Sequence, residues 1–209
     1  CLSKPVYFAL LGALGTFVGA LAGQLLLLAV SFIFPSSSAE KDICLVLDTS
    51  GSMSGQPLNE VKAAATAFVN LQGQTGNRLC VVSFDSDGRL VQPLTTDTNK
   101  LQSAIGGLSV GGSTALDLGL KQALMALSDK PEVDGTIANS KKKRGSNIVV
   151  IFTDGMPNDE GDAQKAAKAL RQNGSILYAI HTPAAPVEFL ESLTTDPKRV
   201  YRADNPEDF

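Results

Sequence analysis

The chain has 209 residues, enough for one α/β domain of ordinary size and an additional segment. Its formal net charge of −3 gives no reason to expect a nucleic acid as partner. Three cysteines are too few for a disulfide framework, and the two that lie in apolar runs, Cys44 and Cys80, are interpreted as buried thiols.

The first part of the chain is a candidate membrane anchor. Residues 5–34 contain no charged side chain, and about 20 apolar residues suffice to cross a bilayer. A cleaved signal peptide is the alternative, because residues 37–39 resemble a cleavage site, but the apolar core of a signal peptide has only about 7–15 residues. We therefore predict a retained single-pass anchor over residues 1–35 and a linker over residues 36–41, while the few flanking charges leave the side of the membrane undetermined.

Glycines recur at every fourth position of this anchor, at Gly15, Gly19 and Gly23. This spacing places them on one face of a helix, where a second helix can approach closely. Two interpretations remain open: helix–helix association within the membrane, or the general abundance of small residues in membrane helices.

From residue 42 onwards, strand-like and helix-like segments alternate. A continuous apolar run predicts a strand at 43–47, buried on both faces, and apolar residues at helical spacing predict a helix at 57–71. The later segments are predicted to be strands at 78–84, 88–93, 148–153, 175–181 and 199–202, and helices at 99–106, 115–127, 162–173 and 187–193. The alternation predicts a doubly wound α/β fold, with a mostly parallel central sheet flanked by helices on both faces.

The end of the chain has the features of a helix start. Asn205 suits the N-cap position and Pro206 the first helical position, while Glu207 and Asp208 suit the positive end of the helix dipole. We therefore expect a domain over residues 42–209 whose C-terminal helix begins near residue 205 and is truncated in this sequence.

Three short segments rich in oxygen ligands accompany the predicted strands. The residues DTSGS at 48–52 follow the first strand, GGST at 111–114 enters a helix, and TDG at 153–155 ends the strand at 148–153. Ligands of such sheets bind at the carboxyl ends of the strands, at the point where the strand order reverses. Because hydroxyl and carboxylate oxygens are ligands for hard cations such as Mg²⁺, the segments predict one metal site.

The three segments, in this order, resemble the metal-ion-dependent adhesion site (MIDAS) of von Willebrand factor type A domains, and the resemblance covers residues 42–209. It implies a Rossmann-like fold and a metal set in which Ser50, Ser52 and Thr114 supply hydroxyls. Asp48 and Asp154 would act mainly through bound water or as hydrogen-bond acceptors. The implied ion is Mg²⁺, with Mn²⁺ or Ca²⁺ as alternatives, and an acidic residue of a partner protein would complete its shell.

The sequence therefore predicts a membrane-anchored, metal-dependent protein-binding module of the adhesion kind. The alternative is a scaffold or adaptor subunit that docks on an AAA-type ATPase or another membrane complex without metal-dependent capture. An enzyme is not expected: there is a single histidine, His181, no GxxxxGK[ST] phosphate loop, and no general base near the site beyond the two aspartates.

Overall fold

The structure, a computed structural model, describes residues 40–73, 75–128, 146–182 and 185–202. Among these residues, no helix combines the length and the apolar character needed to cross a bilayer. The predicted anchor over residues 1–35, with its glycines, lies outside the described residues, as does the predicted start of a helix at 205.

Strands and helices alternate along the described chain. The strands are β1 (Asp42–Asp48), β2 (Arg78–Phe84), β3 (Gly88–Thr95), β4 (Ile148–Thr153), β5 (Ile176–His181) and β6 (Val200–Arg202). The helices are α1 (Gln56–Gln72), α2 (Thr98–Gly106), α3 (Leu116–Ser128), α4 (Glu160–Gln172) and α5 (Val187–Thr194). Every strand and helix predicted between residues 43 and 202 is present, and each end lies within two residues of the predicted one.

The six strands form one sheet in the order β3-β2-β1-β4-β5-β6. Only β3, at one edge, runs antiparallel to its neighbour, and the other four pairings are parallel. The prediction of a mostly parallel sheet is therefore confirmed. The chain builds outwards from β1 through β2 to β3 and then returns to place β4 on the other side of β1, so the strand order reverses between β1 and β4.

Helices cover both faces of the sheet, as predicted. One apolar cluster joins alternate residues of the strands to α3, α4 and α5, and a second joins the opposite set to α1 and α2. All seven residues of β1 are buried, which explains why its sequence is a continuous apolar run and not an alternating one. Cys44 and Cys80 are free, fully buried and opposite each other on β1 and β2, in agreement with their interpretation as buried thiols.

Side-chain caps set the start of two helices. The carboxylate of Asp97 accepts hydrogen bonds from the backbone N–H groups of Asn99 and Lys100 at the start of α2. The carboxylate of Asp159 accepts one from the N–H of Asp162 at the start of α4. These bonds satisfy backbone donors that the helix leaves unpaired. Because α4 starts just after the loop that follows β4, its cap also fixes where that loop ends.

Candidate metal centre

The centre of the site is Asp48, the last residue of β1. Leu47 pairs with Phe152 in the parallel register of β1 and β4, which places Asp48 beside Thr153. Asp48 is fully buried, and Thr153 Oγ1 donates a hydrogen bond of 2.7 Å to its Oδ2. The backbone N–H of Ser50 donates to its other oxygen, Oδ1, at 2.8 Å. Both carboxylate oxygens therefore accept hydrogen bonds at the point where the strand order reverses.

Burial raises the pKa of the Asp48 carboxyl group above its ordinary value. The hydrogen bonds from Ser50 and Thr153 favour the ionised form but do not outweigh burial, and the negative charge of Asp154 adds to the upward shift. A cation beside Asp48 and Asp154 would compensate for both of these unfavourable terms. The electrostatics of the described residues therefore fit a bound cation.

Two serines connect Asp48 to the second carboxylate. Ser50 is buried, and its Oγ lies 3.1 Å from the Oγ of Ser52. Ser52 Oγ then donates a hydrogen bond of 2.9 Å to Asp154 Oδ1, on the loop that follows β4. Four of the five predicted metal residues are thus joined in one chain of hydrogen bonds, although Ser52 and Asp154 are 102 residues apart in sequence.

The GGST loop is fastened to the DTSGS loop through its backbone. Gly111 N–H donates to Thr49 O at 2.8 Å, and Gly51 N–H donates to Gly112 O at 3.1 Å. Gly112 has a φ of +65°, and a Cβ atom at this position would lie 2.4 Å from Ser86 Oγ. Glycine is therefore required here for both conformation and space.

Thr114, the fifth predicted residue, lies between this loop and α3. Its backbone N–H donates to Asn158 Oδ1 at 3.1 Å, and its carbonyl oxygen accepts from Asn158 N–H at 2.8 Å. Among the described residues, its hydroxyl has no hydrogen-bond partner, whereas the hydroxyl of Ser113 lies close to both Ser86 and Asn158. Of the two adjacent hydroxyls, the Thr114 hydroxyl is thus the one available to an added ligand.

Several residues of the site were not predicted from the sequence. Thr153 was noted only as part of a motif, yet it bonds to Asp48, and Thr49 fixes the first loop through bonds to Phe84 O. The parallel pairing of β1 and β4 is the signal that could have revealed Thr153. Ser86 and Asn158 have no local sequence signal, because their role depends on which loops meet.

The donor set contains only oxygen atoms. No group of three or more His, Cys, Asp or Glu residues that could hold a metal occurs among the described residues. His181 lies at the end of β5, where its Nδ1 is 2.7 Å from the carbonyl oxygen of Thr182. Three hydroxyls and two carboxylates suit a hard cation such as Mg²⁺, Mn²⁺ or Ca²⁺ better than a soft one.

The surface around the site combines apolar and acidic side chains. Val110, Met156 and Val187 lie on loops or helix starts at this edge of the sheet and are 38%, 47% and 41% exposed. Glu160 and Glu188, in the first turns of α4 and α5, are also exposed. Basic side chains near this edge are neutralised by carboxylates, in the pairs Arg89–Asp85, Lys121–Asp117 and Lys165–Asp162.

The domain is thus an open, doubly wound α/β sheet with an oxygen-rich cluster at the point where the strand order reverses. Residues 42–209 match the model of the family described as von Willebrand factor type A domain. The chain belongs to this family.

Two curated relatives are much longer proteins that contain a similar segment. The uncharacterized protein sll0103 of Synechocystis is 34% identical over 143 residues, which make up 68% of this chain and 31% of that protein. Calcium-activated chloride channel regulator 1 of Bos taurus is 28% identical over 162 residues, which make up 75% of this chain and 16% of that protein. The chain therefore spans less than a third of the length of either relative.

Solved structures agree on the fold. The vWF domain of the type V pili tip protein Mfa5 from Porphyromonas gingivalis superposes with a TM-score of 0.68 at 15% identity, covering 83% of this chain and 92% of that one. Proximal thread matrix protein 1 from the mussel byssus, with a zinc-occupied MIDAS motif, gives a TM-score of 0.64 at 21% identity, covering 80% and 42%. BatB from Bacteroides thetaiotaomicron gives 0.63 at 18% identity, covering 78% and 90%.

Proposed function

We propose that this chain is a protein-binding module that captures an acidic side chain of a partner protein through a divalent cation. The observation that carries the proposal is the hydrogen-bonded chain from Asp48 through Ser50 and Ser52 to Asp154, with the Thr114 loop bonded to it. The side-chain oxygens of this hydrogen-bonded chain lie together at one edge of the sheet, and they are the ligand type that Mg²⁺, Mn²⁺ and Ca²⁺ require.

The neutral and the charged residues of the site would have different roles. The neutral hydroxyls of Ser50, Ser52 and Thr114 would bind the cation, and the carboxylates of Asp48 and Asp154 would accept hydrogen bonds from its water molecules. A cation with neutral ligands retains most of its charge, so it can accept a carboxylate from outside. The nearby apolar side chains Val110 and Met156 would pack against the partner and exclude water from that bond.

The relatives are consistent with such a role. A pili tip protein and a byssus matrix protein share the fold, and the latter has a zinc-occupied MIDAS motif. In this chain, we infer an interaction role of the same general kind, without enzymatic activity. The proposal does not depend on the identity of the partner, only on a carboxylate that reaches the cation.

We further propose that the module is attached to a membrane by the single-pass anchor over residues 1–35, with helix–helix contacts through Gly15, Gly19 and Gly23. The chain enters the described domain at the amino end of β1, whereas Asp48 lies at the opposite end of this strand. A strand rises by about 3.3 Å per residue, which puts the site about 20 Å from the entry point. The site therefore lies at the end of β1 opposite to the point where the chain enters the described domain.

A metal titration tests the proposal. The whole chain, kept in detergent micelles, is titrated with Mg²⁺ and with Mn²⁺ in a calorimeter, in parallel with Asp48→Ala. We expect saturable binding of one ion, lost in the variant, and an increase in melting temperature that only the wild type shows, because a bound ligand stabilises the folded state. If a folded wild-type chain binds neither ion, the metal-dependent proposal fails and the scaffold or adaptor function becomes the better explanation.

A further inference from the structure

Asn158 connects the two loops that carry Thr114 and Asp154. It follows Asp154 by four residues, and its three hydrogen bonds all go to the neighbouring loop. Its backbone N–H donates to Thr114 O at 2.8 Å, its Oδ1 accepts from Thr114 N–H at 3.1 Å, and its Nδ2 donates to Ser113 Oγ at 3.0 Å. Asn158 therefore forms hydrogen bonds with both the backbone N–H and the backbone carbonyl group of Thr114.

This arrangement restricts the directions in which the Thr114 hydroxyl can point. A β-branched side chain has few χ1 rotamers, so a fixed backbone leaves its hydroxyl few directions. The bond from Asn158 to Ser113 also orients the hydroxyl of Ser113, whose Oγ lies 3.2 Å from Ser86 Oγ. The backbone N–H of Ser113 donates to Ser86 Oγ as well, at 3.0 Å. Ser113 is thus engaged with the loop after β2, and Thr114 is the hydroxyl left for a cation.

We propose that Asn158 is a positioning residue of the metal centre: it ties the Asp154 loop to the Thr114 loop, so that both residues reach the cation as one unit. The role of the tie in metal binding rests on the proposed function above. The hydrogen bonds of Asn158 to the Thr114 loop do not, because they join protein atoms only. Residues that fix the orientation of metal ligands commonly change metal affinity by about ten- to a hundredfold when they are replaced.

The first test uses the metal-free chain. Amide hydrogen exchange is measured by NMR in chelator for the wild type, for Asn158→Ala and for Asn173→Ala. Asn173 is a suitable control because it is also exposed and donates one side-chain bond, to Ser128 Oγ, at the other end of α4. We expect the Thr114 amide to exchange about tenfold faster in Asn158→Ala only, as the loss of one hydrogen bond predicts. An unchanged Thr114 amide would overturn the proposed tie.

The second test is a double-mutant cycle on Mn²⁺ affinity, with Asn158→Ala, Thr114→Val and the double variant. If Asn158 acts through Thr114, its replacement weakens Mn²⁺ binding by about tenfold or more in the wild type and has little further effect once Thr114 is Val. Additive effects, or wild-type affinity in Asn158→Ala, would overturn the positioning role. A wild type that binds no Mn²⁺ would refute the proposed function, and the exchange measurement would then decide on the tie alone.

Discussion

Asp48 is the residue on which the chemistry of the site depends most. It is fully buried, both of its oxygens accept hydrogen bonds, and burial nevertheless raises the pKa of its carboxyl group. A carboxylate in this position is therefore an unfavourable feature of the metal-free domain. It becomes favourable when a cation lies beside it, because the added charge interacts strongly with a group that water screens poorly.

Replacing Asp48 by Asn should stabilise the metal-free chain at neutral pH while removing its response to Mg²⁺. The folded-state pKa of Asp48 lies above the unfolded value, so its ionisation costs stability. This cost is absent at a pH below the pKa of Asp48 in the unfolded chain. It grows as the pH rises through the pKa of Asp48 in the folded chain, and it is complete above that value. The difference in melting temperature between Asp48→Asn and wild type should thus appear between acidic and neutral pH, in circular dichroism melts recorded in chelator.

A control variant completes this prediction. Asp97→Asn changes an aspartate that caps α2, away from the site, and should leave the response to Mg²⁺ intact. An Asp48→Asn variant that melts below the wild type at neutral pH, in chelator, would contradict the assignment of Asp48 as an unfavourably buried charge.

At the scale of the elements, the site depends on loops that approach one another closely. The GGST loop is bonded to the DTSGS loop on one side, and through Ser113 to Ser86 on the other. The first residue after it, Ala115, donates its N–H to Asp85 O at 2.7 Å. The guanidinium of Arg89 in turn donates to the Asp85 carboxylate. Burial raises the pKa of this carboxyl group, but the hydrogen bond and charge of Arg89, together with bonds from backbone N–H groups, lower it below its ordinary value. The loop after β2 is therefore a support for the start of α3.

Gly112→Ala should separate these loops. The substitution combines a φ of +65° with a Cβ only 2.4 Å from Ser86 Oγ, so we expect a loss of about 1–3 kcal/mol in the free energy of unfolding. Urea denaturation in chelator measures this loss, and Mn²⁺ titration should show weaker binding because Thr114 follows directly. Gly106→Ala is the control, since a Cβ there meets nothing within 4 Å. Equal stability of the two variants would show that the close approach at Gly112 is not needed.

At the scale of the whole molecule, charge restricts the kind of partner. Glu160 and Glu188 are exposed beside the site, and the basic side chains Arg89, Lys121 and Lys165 are neutralised by carboxylates. A partner that presents one carboxylate to the cation would meet this acidic surface around it. Complementarity therefore favours a ligand acid that is flanked by basic residues, and it should act mainly on the rate of association.

This expectation can be measured with a displayed random peptide library, panned on the whole chain in Mn²⁺ and eluted with chelator. Peptides recovered in this way should contain Asp or Glu with an excess of Lys and Arg nearby. Glu160→Lys should reduce that excess, whereas Asn173→Lys, at the other end of α4, should not. Chelator-sensitive peptides without a basic excess would contradict the charge argument and leave metal-dependent capture intact.

The elements of the fold were predictable because their signals are local. Strands such as β1 are continuous apolar runs, and helices such as α1 have apolar residues at helical spacing. The five candidate metal residues were predicted as one group. The structure brings four of them into one chain of hydrogen bonds, and the backbone of the fifth is bonded to Asn158 on the loop that carries Asp154. The helix α4 starts two residues before the predicted position, because the side-chain bond of Asp159 and not periodicity sets its start.

Local sequence patterns identify the buried strands and the loops rich in side-chain oxygens, because both depend on neighbouring residues in the chain. The tertiary structure alone established that β4 lies beside β1, and hence that Thr153 bonds to Asp48 across 105 residues of sequence. It also decided that Asn158 reaches Ser113 and Thr114 from another loop. Such contacts follow from how the crossover connections order the strands, and side-chain periodicity carries no information about that order.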